Sequence, residues 1–342
     1  MKNSLKYYIF LFILLALFTA CTDLPGTREK NYMSIRGLTQ GTTYMVKYSS
    51  PDSTNYRPYI ERILAEIDSS MSTYQEQSII SKINRNDPSV ELDEHFRSVY
   101  QAAQKVSRIT DGAFDITVAP LVNAWGFGFT EKRKLDSSKV DSLLEFVGYE
   151  AIRLEDGRVY KNDKRTMIDM SAIAKGYTVD EIGKFLDRKG VEDYLVEIGG
   201  EVTTKGKNPE GDLWRIGIDK PVDSSNMEQR QLQAVVNLKN RAIATSGNYR
   251  QFYVEDGVRY SHTINPKTGY PVGHKLLSVS VFAEDCVFAD ALATSFMVMG
   301  REKSKRLLEK HEDIGAYFIY SDDQGNYKVE CTENVKDLIE NL

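Results

Sequence analysis

Cysteine is scarce: the 342-residue chain has three, Cys21, Cys286 and Cys331. That number and spacing give no disulfide framework, so stability has to come from a packed core. An excess of basic charge is missing too. The formal net charge is -5, and loss of residues 1–20 would remove Lys2 and Lys6 and no acid, leaving -7. This balance argues against a nucleic-acid partner. There is no internal repeat, low-complexity tract or long linker, so the chain does not read as a solenoid or a string of modules. The glycine-rich run before Gly-Lys-Ser/Thr that makes a phosphate-binding P-loop is also absent. What is present is enough apolar material, 41% of residues, for one large domain or two intimately packed lobes.

The apolar stretch Tyr7–Ala20 follows Lys2 and Lys6 and ends at Cys21. It is short for a membrane span and has the layout of a targeting segment. Phe18-Thr-Ala-Cys21 resembles a bacterial lipobox, with Phe18 where leucine is usual. The expectation is a signal peptide over residues 1–20, cleavage ahead of Cys21 and lipidation of its thiol. An ordinary signal peptide or an uncleaved anchor would export the body equally. Residues 21–31 then form the lipidated cysteine and a polar tether, and residues 32–342 a single domain.

The stretch that organises this domain runs from Asp285 to Gly300. Asp285 can cap a helix and Gly300 can end it, while Cys286, Val287, Phe288, Leu292, Phe296, Met297 and Met299 occupy every side of the wheel. Such a helix meets protein on all faces. Asp290 and Thr294 are four apart and project side by side, and a buried carboxylate without a partner costs roughly several kcal/mol. Two arrangements answer that cost. Asp290 could accept backbone or lysine hydrogen bonds while Thr294 bonds back to the carbonyl of Asp290. Alternatively, the pair could hold a hard cation such as Mg²⁺ or Ca²⁺, since zinc would want His and Cys.

Elsewhere helical and strand patterns interleave. Strands are expected at Thr43–Tyr48, Ile152–Leu154, Val159–Lys161, Leu195–Ile198, Ile216–Asp219, Gln233–Leu238, Phe252–Val254, Val258–His262, Leu277–Phe282, Ala316–Tyr320 and Tyr327–Cys331. Hairpin signals at Glu155-Asp-Gly157 and Glu255-Asp-Gly257 make the sheet largely antiparallel. Apolar stripes at Ile60–Met71, Phe96–Val106 and Val140–Val147 read as helices. The fold class is α+β, an antiparallel sheet core with packed helices.

Several segments mix small, charged and aromatic residues. Thr110–Gly128 carries Ala113, Phe114, Asp115, Trp125 and glycines around Phe127, a pattern that suits a ligand-lining loop or a packed turn. Met167–Asp180 runs from a strand through Asp169 and Ala172 into a helix with Lys175 in its first turn, an anion site or a plain connection. Strands ending in Gly199-Gly200 and Thr245-Ser-Gly247 suit a turn or close backbone approach to a phosphate. Among the four histidines, His262 at a strand end beside the Asn265-Pro-Lys-Thr-Gly269 turn suits a general base or a structural role. His95, His274 and His311 are served by solvated or structural roles.

Taken together, Met71-Ser-Thr-Tyr74, Thr110–Ile116, Ile168–Tyr177, Glu197–Gly200, Thr245–Asn248, His262–Gly269 and Asp290–Thr294 resemble the FAD:protein FMN transferase family of ApbE type, from about Thr39 to Gly300. The resemblance implies an ApbE-like fold and a Mg²⁺-dependent enzyme. It would cleave the FAD pyrophosphate, release AMP and attach FMN through its phosphate to a threonine of a partner protein, typically a subunit of a membrane redox pump. By similarity, Asp290 and Thr294 give side-chain oxygens to the metal, Ala172 gives its carbonyl and Ala293 lies beside them. Tyr74, Ala113, Phe114, Asp115, Asp169, Lys175 and Ile264 match flavin-nucleotide positions, with Gln40 a further match near the amino end. His262 matches the histidine that assists proton transfer from the acceptor hydroxyl. The chain departs from the family pattern at Asn265 and Lys267, where Asp and Arg are common, and at Met170 and Ser171. Lys for Arg loses bidentate geometry. The resemblance also implies a lipid anchor on the periplasmic side of a bacterial membrane. Two other activities fit parts of the pattern: an FAD pyrophosphatase, in which water replaces threonine, and a lipid-anchored flavin-binding protein without chemistry. The buried Asp290/Thr294 pair speaks against the latter, because flavin binding alone needs no metal site.

Overall fold

The computed structural model describes residues 31–128, 135–221, 231–248, 252–255 and 258–342. The expected signal peptide, Cys21 and the tether up to residue 30 lie outside the described residues, as does the Asp256-Gly257 tip of the second hairpin.

An eight-stranded sheet forms the centre. Its strands are β1 (Tyr32–Thr39), β2 (Thr42–Ser49), β5 (Tyr194–Ile198), β6 (Glu201–Lys205), β9 (Arg241–Gly247), β12 (Leu276–Ala283), β13 (Gly315–Ser321) and β14 (Tyr327–Cys331), adjacent in that order. Every neighbouring pair is antiparallel. Two small hairpins stand apart, β3 (Ile152–Glu155) with β4 (Arg158–Lys161) and β10 (Phe252–Glu255) with β11 (Val258–Ser261). The turn of the first uses Asp156 at φ 49° and Gly157 at φ 72°, the left-handed pair that a two-residue hairpin requires.

Alternation along the central strands supplies two cores. Val196, Ala242, Ala244, Val281 and Phe318 join the helical core, whereas their neighbours Leu195, Ile243, Phe282 and Tyr317 join a second cluster. That second cluster closes against a three-stranded sheet of β7 (Trp214–Asp219), β8 (Leu232–Leu238) and β15 (Ile339–Asn341), which contributes Trp214, Ile218, Val236 and Leu238. Side chains of period two therefore bury both faces of one sheet.

The helices are α1 (Arg57–Met71), α2 (Ile79–Asn84), α3 (Glu94–Ile109), α4 (Ala119–Ala124), α5 (Ser137–Leu144), α6 (Ala174–Arg188), α7 (Cys286–Met299), α8 (Arg301–Leu308) and α9 (Glu333–Lys336). The stripes read from sequence are the buried faces of α1 and α3, from Ile60 to Met71 and from Phe96 to Val106. Helix α7 is the buried helix expected, and Gly300 ends it at φ 76°. Its start differs from the expectation. Asp285 stands at the N-cap without a side-chain bond to the helix. The carboxylate of Asp180 on α6 instead accepts from the amides of Cys286 (2.9 Å) and Val287 (2.8 Å). Helices α6 and α7 touch so closely at Gly176 that a Cβ there would lie 2.4 Å from the Cys286 carbonyl oxygen.

Strands β1, β6 and β15 have no counterpart among the sequence-based strands. β1 contains Arg36 and Gly37, which dilute its pattern, yet Gly37 is what its partner requires: an added Cβ would meet the Tyr44 ring at 2.5 Å. β15 has only three residues.

Candidate active site

A cavity of about 540 Å³ opens where α6, α7, the ends of β6 and β9 and the loops after α3 and β11 converge. It gathers residues more than 200 positions apart in the chain. Tyr74, Ala113, Phe114, Asp115, Asp169, Ala172, Lys175, His262, Ile264, Asp290 and Thr294 all line it. So do the strand ends Gly199-Gly200 and Thr245-Ser-Gly247. Gln40 and Ala293 are not in its wall. Gln40 occupies the β1–β2 turn at φ 48°, and its amide donates to the Thr178 hydroxyl (2.8 Å). Ala293 is 1% exposed within the helical core.

The polar centre is built by α6 and α7. Burial at 5% exposure would leave the Asp290 carboxylate poorly solvated, and Oδ2 accepts the free backbone N–H of Gly176 (2.9 Å) at the start of α6. The anion at this helix N-terminus is thus the protein's own carboxylate, where the dipole favours it. The backbone half of the structural alternative for Asp290 is realised. The other half is not: Ser295, not Thr294, bonds back along the helix, to the Ala291 carbonyl (2.7 Å). The Thr294 hydroxyl makes no hydrogen bond to another described residue.

Lys175 extends from the first turn of α6 to Glu201 at the start of β6, Nζ to Oε1 2.6 Å. Burial alone would lower the Lys175 pKa, but the Asp290 and Glu201 carboxylates outweigh it and hold the group above its ordinary value. Glu201 is 4% exposed, and burial raises it, opposed by Lys175 and aided by Asp290. Its Oε2 is buried with no hydrogen-bond partner among the described residues. Sequence reasoning singled out the Gly199-Gly200 turn but not the acid after it. The signal was there, since a carboxylate locked directly behind paired glycines at φ 61° and 107° is carried on a fixed turn.

Another part of the wall belongs to a loop module with its own small core of Leu121, Trp125, Val140 and Ile264. Trp125 Nε1 donates to the Gly269 carbonyl (2.8 Å) and thereby ties the turn after His262 to α4. Rings stack from Trp125 to Tyr260, from Tyr260 to Tyr253 and from Tyr253 to Phe127, with centroids 5.7, 5.2 and 5.3 Å apart. Phe127 meets His262 edge-on. His262 lies one residue beyond β11 rather than within it. Gly128 answers to its own helix, for an added Cβ would sit 1.9 Å from Asn123 Oδ1. In the loop before it, Asp115 accepts from the Thr117 amide (2.7 Å) and hydroxyl (2.6 Å), and burial raises its pKa. Asp169 accepts from the Ser171 amide (2.8 Å) and so shapes the turn leading to Ala172. Tyr74 stands at the rim, 86% exposed.

Two of the other histidines have structural work. His95 is half-buried, with Nδ1 2.9 Å from the Tyr177 hydroxyl. His274 bonds the Met297 carbonyl (2.7 Å), and burial lowers its pKa.

The donor chemistry around Asp290 fits a hard cation: one carboxylate, a hydroxyl with no partner among the described residues, and Ala172 in the same wall. Among the described residues no group of three or more His, Cys, Asp or Glu side chains could hold a metal.

The comparisons with known proteins agree over nearly the whole chain. The ApbE family profile matches residues 40–318. The chain is 38% identical to the FAD:protein FMN transferase of Haemophilus influenzae, over 87% of this chain and 89% of that protein. It is 32% identical to the FAD:protein FMN transferase of Escherichia coli strain K12, over 88% and 89%. The solved flavin transferase ApbE from Vibrio cholerae superposes with a TM-score of 0.81 at 34% identity, over 90% of this chain and 99% of that one. The Pseudomonas stutzeri flavinyl transferase ApbE, apo form, gives 0.80 at 33% identity, over 90% and 97%. On the extent of these matches, the chain belongs to the ApbE family.

Proposed function

We infer that the chain is an enzyme that transfers FMN from FAD to an acceptor protein, with a divalent cation, Mg²⁺, assisting and a threonine hydroxyl as the acceptor group. The observation that carries this reading is the convergence of His262, Lys175, Asp290 and Thr294 on one cavity lined by aromatic and small residues, in a member of the ApbE family. A bound cation, held by Asp290, Thr294 and the Ala172 carbonyl, would neutralise pyrophosphate charge.

The chain's own groups account for the rest. Phosphoryl transfer depends mainly on positioning and charge neutralisation, and Lys175 adds a cation that stays protonated across the working pH range. Phe114 in the wall and Tyr74 at the rim offer flat surfaces to flavin or adenine rings. His262 accepts the proton of the threonine hydroxyl as the oxygen bonds to the FMN phosphorus, and the bond to the AMP oxygen breaks. The loop module carries His262 and α7 carries Asp290, so base and charge-neutralising groups reach the cavity from different elements. The lipid on Cys21 would tether this domain on the periplasmic side of a membrane, beside acceptors that are subunits of redox pumps.

The test incubates the purified chain with FAD, Mg²⁺ and a protein carrying an acceptor threonine, with mass spectrometry of the acceptor and chromatography of the nucleotides. A flavin-phosphate adduct on threonine with AMP release is expected. Free FMN and AMP without adduct would replace the transferase reading by hydrolysis, and unchanged FAD would overturn both.

A further inference from the structure

The cavity proposed to take a dinucleotide pyrophosphate is acidic. Among its described lining residues Lys175 is the one lysine or arginine, against Asp115, Asp169, Glu201, Asp219 and Asp290. Lys175 is itself already matched. Glu201 lies 2.6 Å from its Nζ, is 4% exposed, and is fixed behind the Gly199-Gly200 turn as the first residue of β6. The second oxygen of Glu201 is buried and bonded to no described residue. A carboxylate needed only to hold the fold would be expected to use both oxygens. This one uses a single oxygen, on the cation of the site.

We propose that Glu201 neutralises Lys175 in the free enzyme and so makes binding of the anionic nucleotide conditional on the divalent cation. The proposal rests on the FMN-transfer reading. With Asp290 and Glu201 facing one ammonium, the cluster carries a net negative charge, and a pyrophosphate approaching without a cation meets repulsion. A divalent ion reverses the sign of the cluster, so cation and nucleotide each raise the other's affinity by the same factor. Glu201 thereby acts on the order of binding, excluding nucleotides that arrive without the metal, and is a specificity-determining residue.

The experiment measures FAD affinity by quenching of flavin fluorescence at pH 8.5, in EDTA and in Mg²⁺, for the wild-type chain, Glu201→Gln and Glu201→Ser. Removing one negative charge beside an anion site should tighten FAD binding in EDTA by about tenfold and shrink the Mg²⁺-induced gain by a similar factor. A positioning role limited to holding Lys175 in place would instead weaken binding under both conditions. Weaker or unchanged affinity in EDTA for folded variants would overturn the proposal. Loss of folding in both variants, seen by thermal unfolding, would also overturn it, since Glu201 would then be structural first. A wild-type chain that binds FAD in neither condition would overturn the functional reading. Cation-dependent wild-type binding with a weakened Glu201→Gln would sink this proposal alone.

Discussion

Helix α6 and strand β6 are joined by an ion pair at each end. At one end Lys175 of the helix meets Glu201 of the strand at 2.6 Å, and at the other Asp187 of the helix meets Lys205 of the strand at 2.7 Å. The lengths match and the polarity is reversed. The surroundings differ: the side chains of the first pair are 27% and 5% exposed, those of the second 43% and 43%. An exposed pair contributes about 0–1 kcal/mol, because water and salt screen it and two long side chains lose freedom. Burying a pair costs several kcal/mol of desolvation, roughly, which its mutual attraction offsets only in part. The two ends of one helix–strand contact therefore serve different purposes. One trims the edge of the scaffold, and the other holds charge in a cavity at the expense of stability.

The strongest way to test that division is at the third member of the buried cluster. Asp290→Ala should lower FAD turnover by about 10²–10³-fold, while the thermal midpoint changes little. Wild-type turnover in that variant would remove Asp290 from the chemistry. Next, replacing the buried pair by apolar groups, Lys175→Met with Glu201→Leu, should leave stability in urea unchanged or raised by about 1–4 kcal/mol, with FAD turnover lost. A double variant that unfolds would make the pair a structural tie after all.

The middle of α6, between the two pairs, predicts a pH dependence of its own. Burial pushes Asp180 up to about 7, against two amide hydrogen bonds that pull it down. Below the ordinary carboxylate pKa the group is protonated in both states and contributes no pH dependence. Between about pH 4 and 7 the unfolded chain has lost that proton and the folded chain keeps it, so stability falls as pH rises. Above pH 7 the loss is complete. Asp180→Asn should flatten the stability profile between pH 4 and 7 by up to about 1.4 kcal/mol per pH unit, measured by urea unfolding at a series of pH values. An unaltered slope would show that Asp180 ionises freely in the folded chain. At the exposed end the effect is smallest: Lys205→Ala should cost about 0–1 kcal/mol in urea and leave FAD turnover within about twofold of wild type.

Much of the site was legible because its parts are local. Asp290 and Thr294 share a helix face by spacing alone, and Lys175 falls in the first turn of α6 as expected, although the strand expected from Met167 is absent and extended, unpaired backbone leads into the turn instead. Gln40, assigned by similarity alone, stands outside the cavity wall, where its amide bonds Thr178. Glu201 was passed over because the acid after Gly-Gly looks like any turn residue until Lys175 stands opposite it. Among strands, β1 and β15 escaped because one is diluted by Arg36 and Gly37 and the other is too short to show a period.

The α+β class, the buried helix from Cys286 to Met299, the alternation of the long strands and the pairing of Asp290 with Thr294 on one face are all written in the order of residues along the chain. Each follows from periods of 2 and 3.6, which report which side of an element is buried. It took the packing of distant elements to make Asp180 cap a helix 106 residues away, to bring the Gly176 amide to Asp290, and to set Glu201 against Lys175. Periodicity says that a face is covered but not what covers it. The partners of buried charges depend on how two elements approach, and here that approach is set by a glycine where α6 touches α7 and by paired glycines that turn β5 (Tyr194–Ile198) into β6 (Glu201–Lys205).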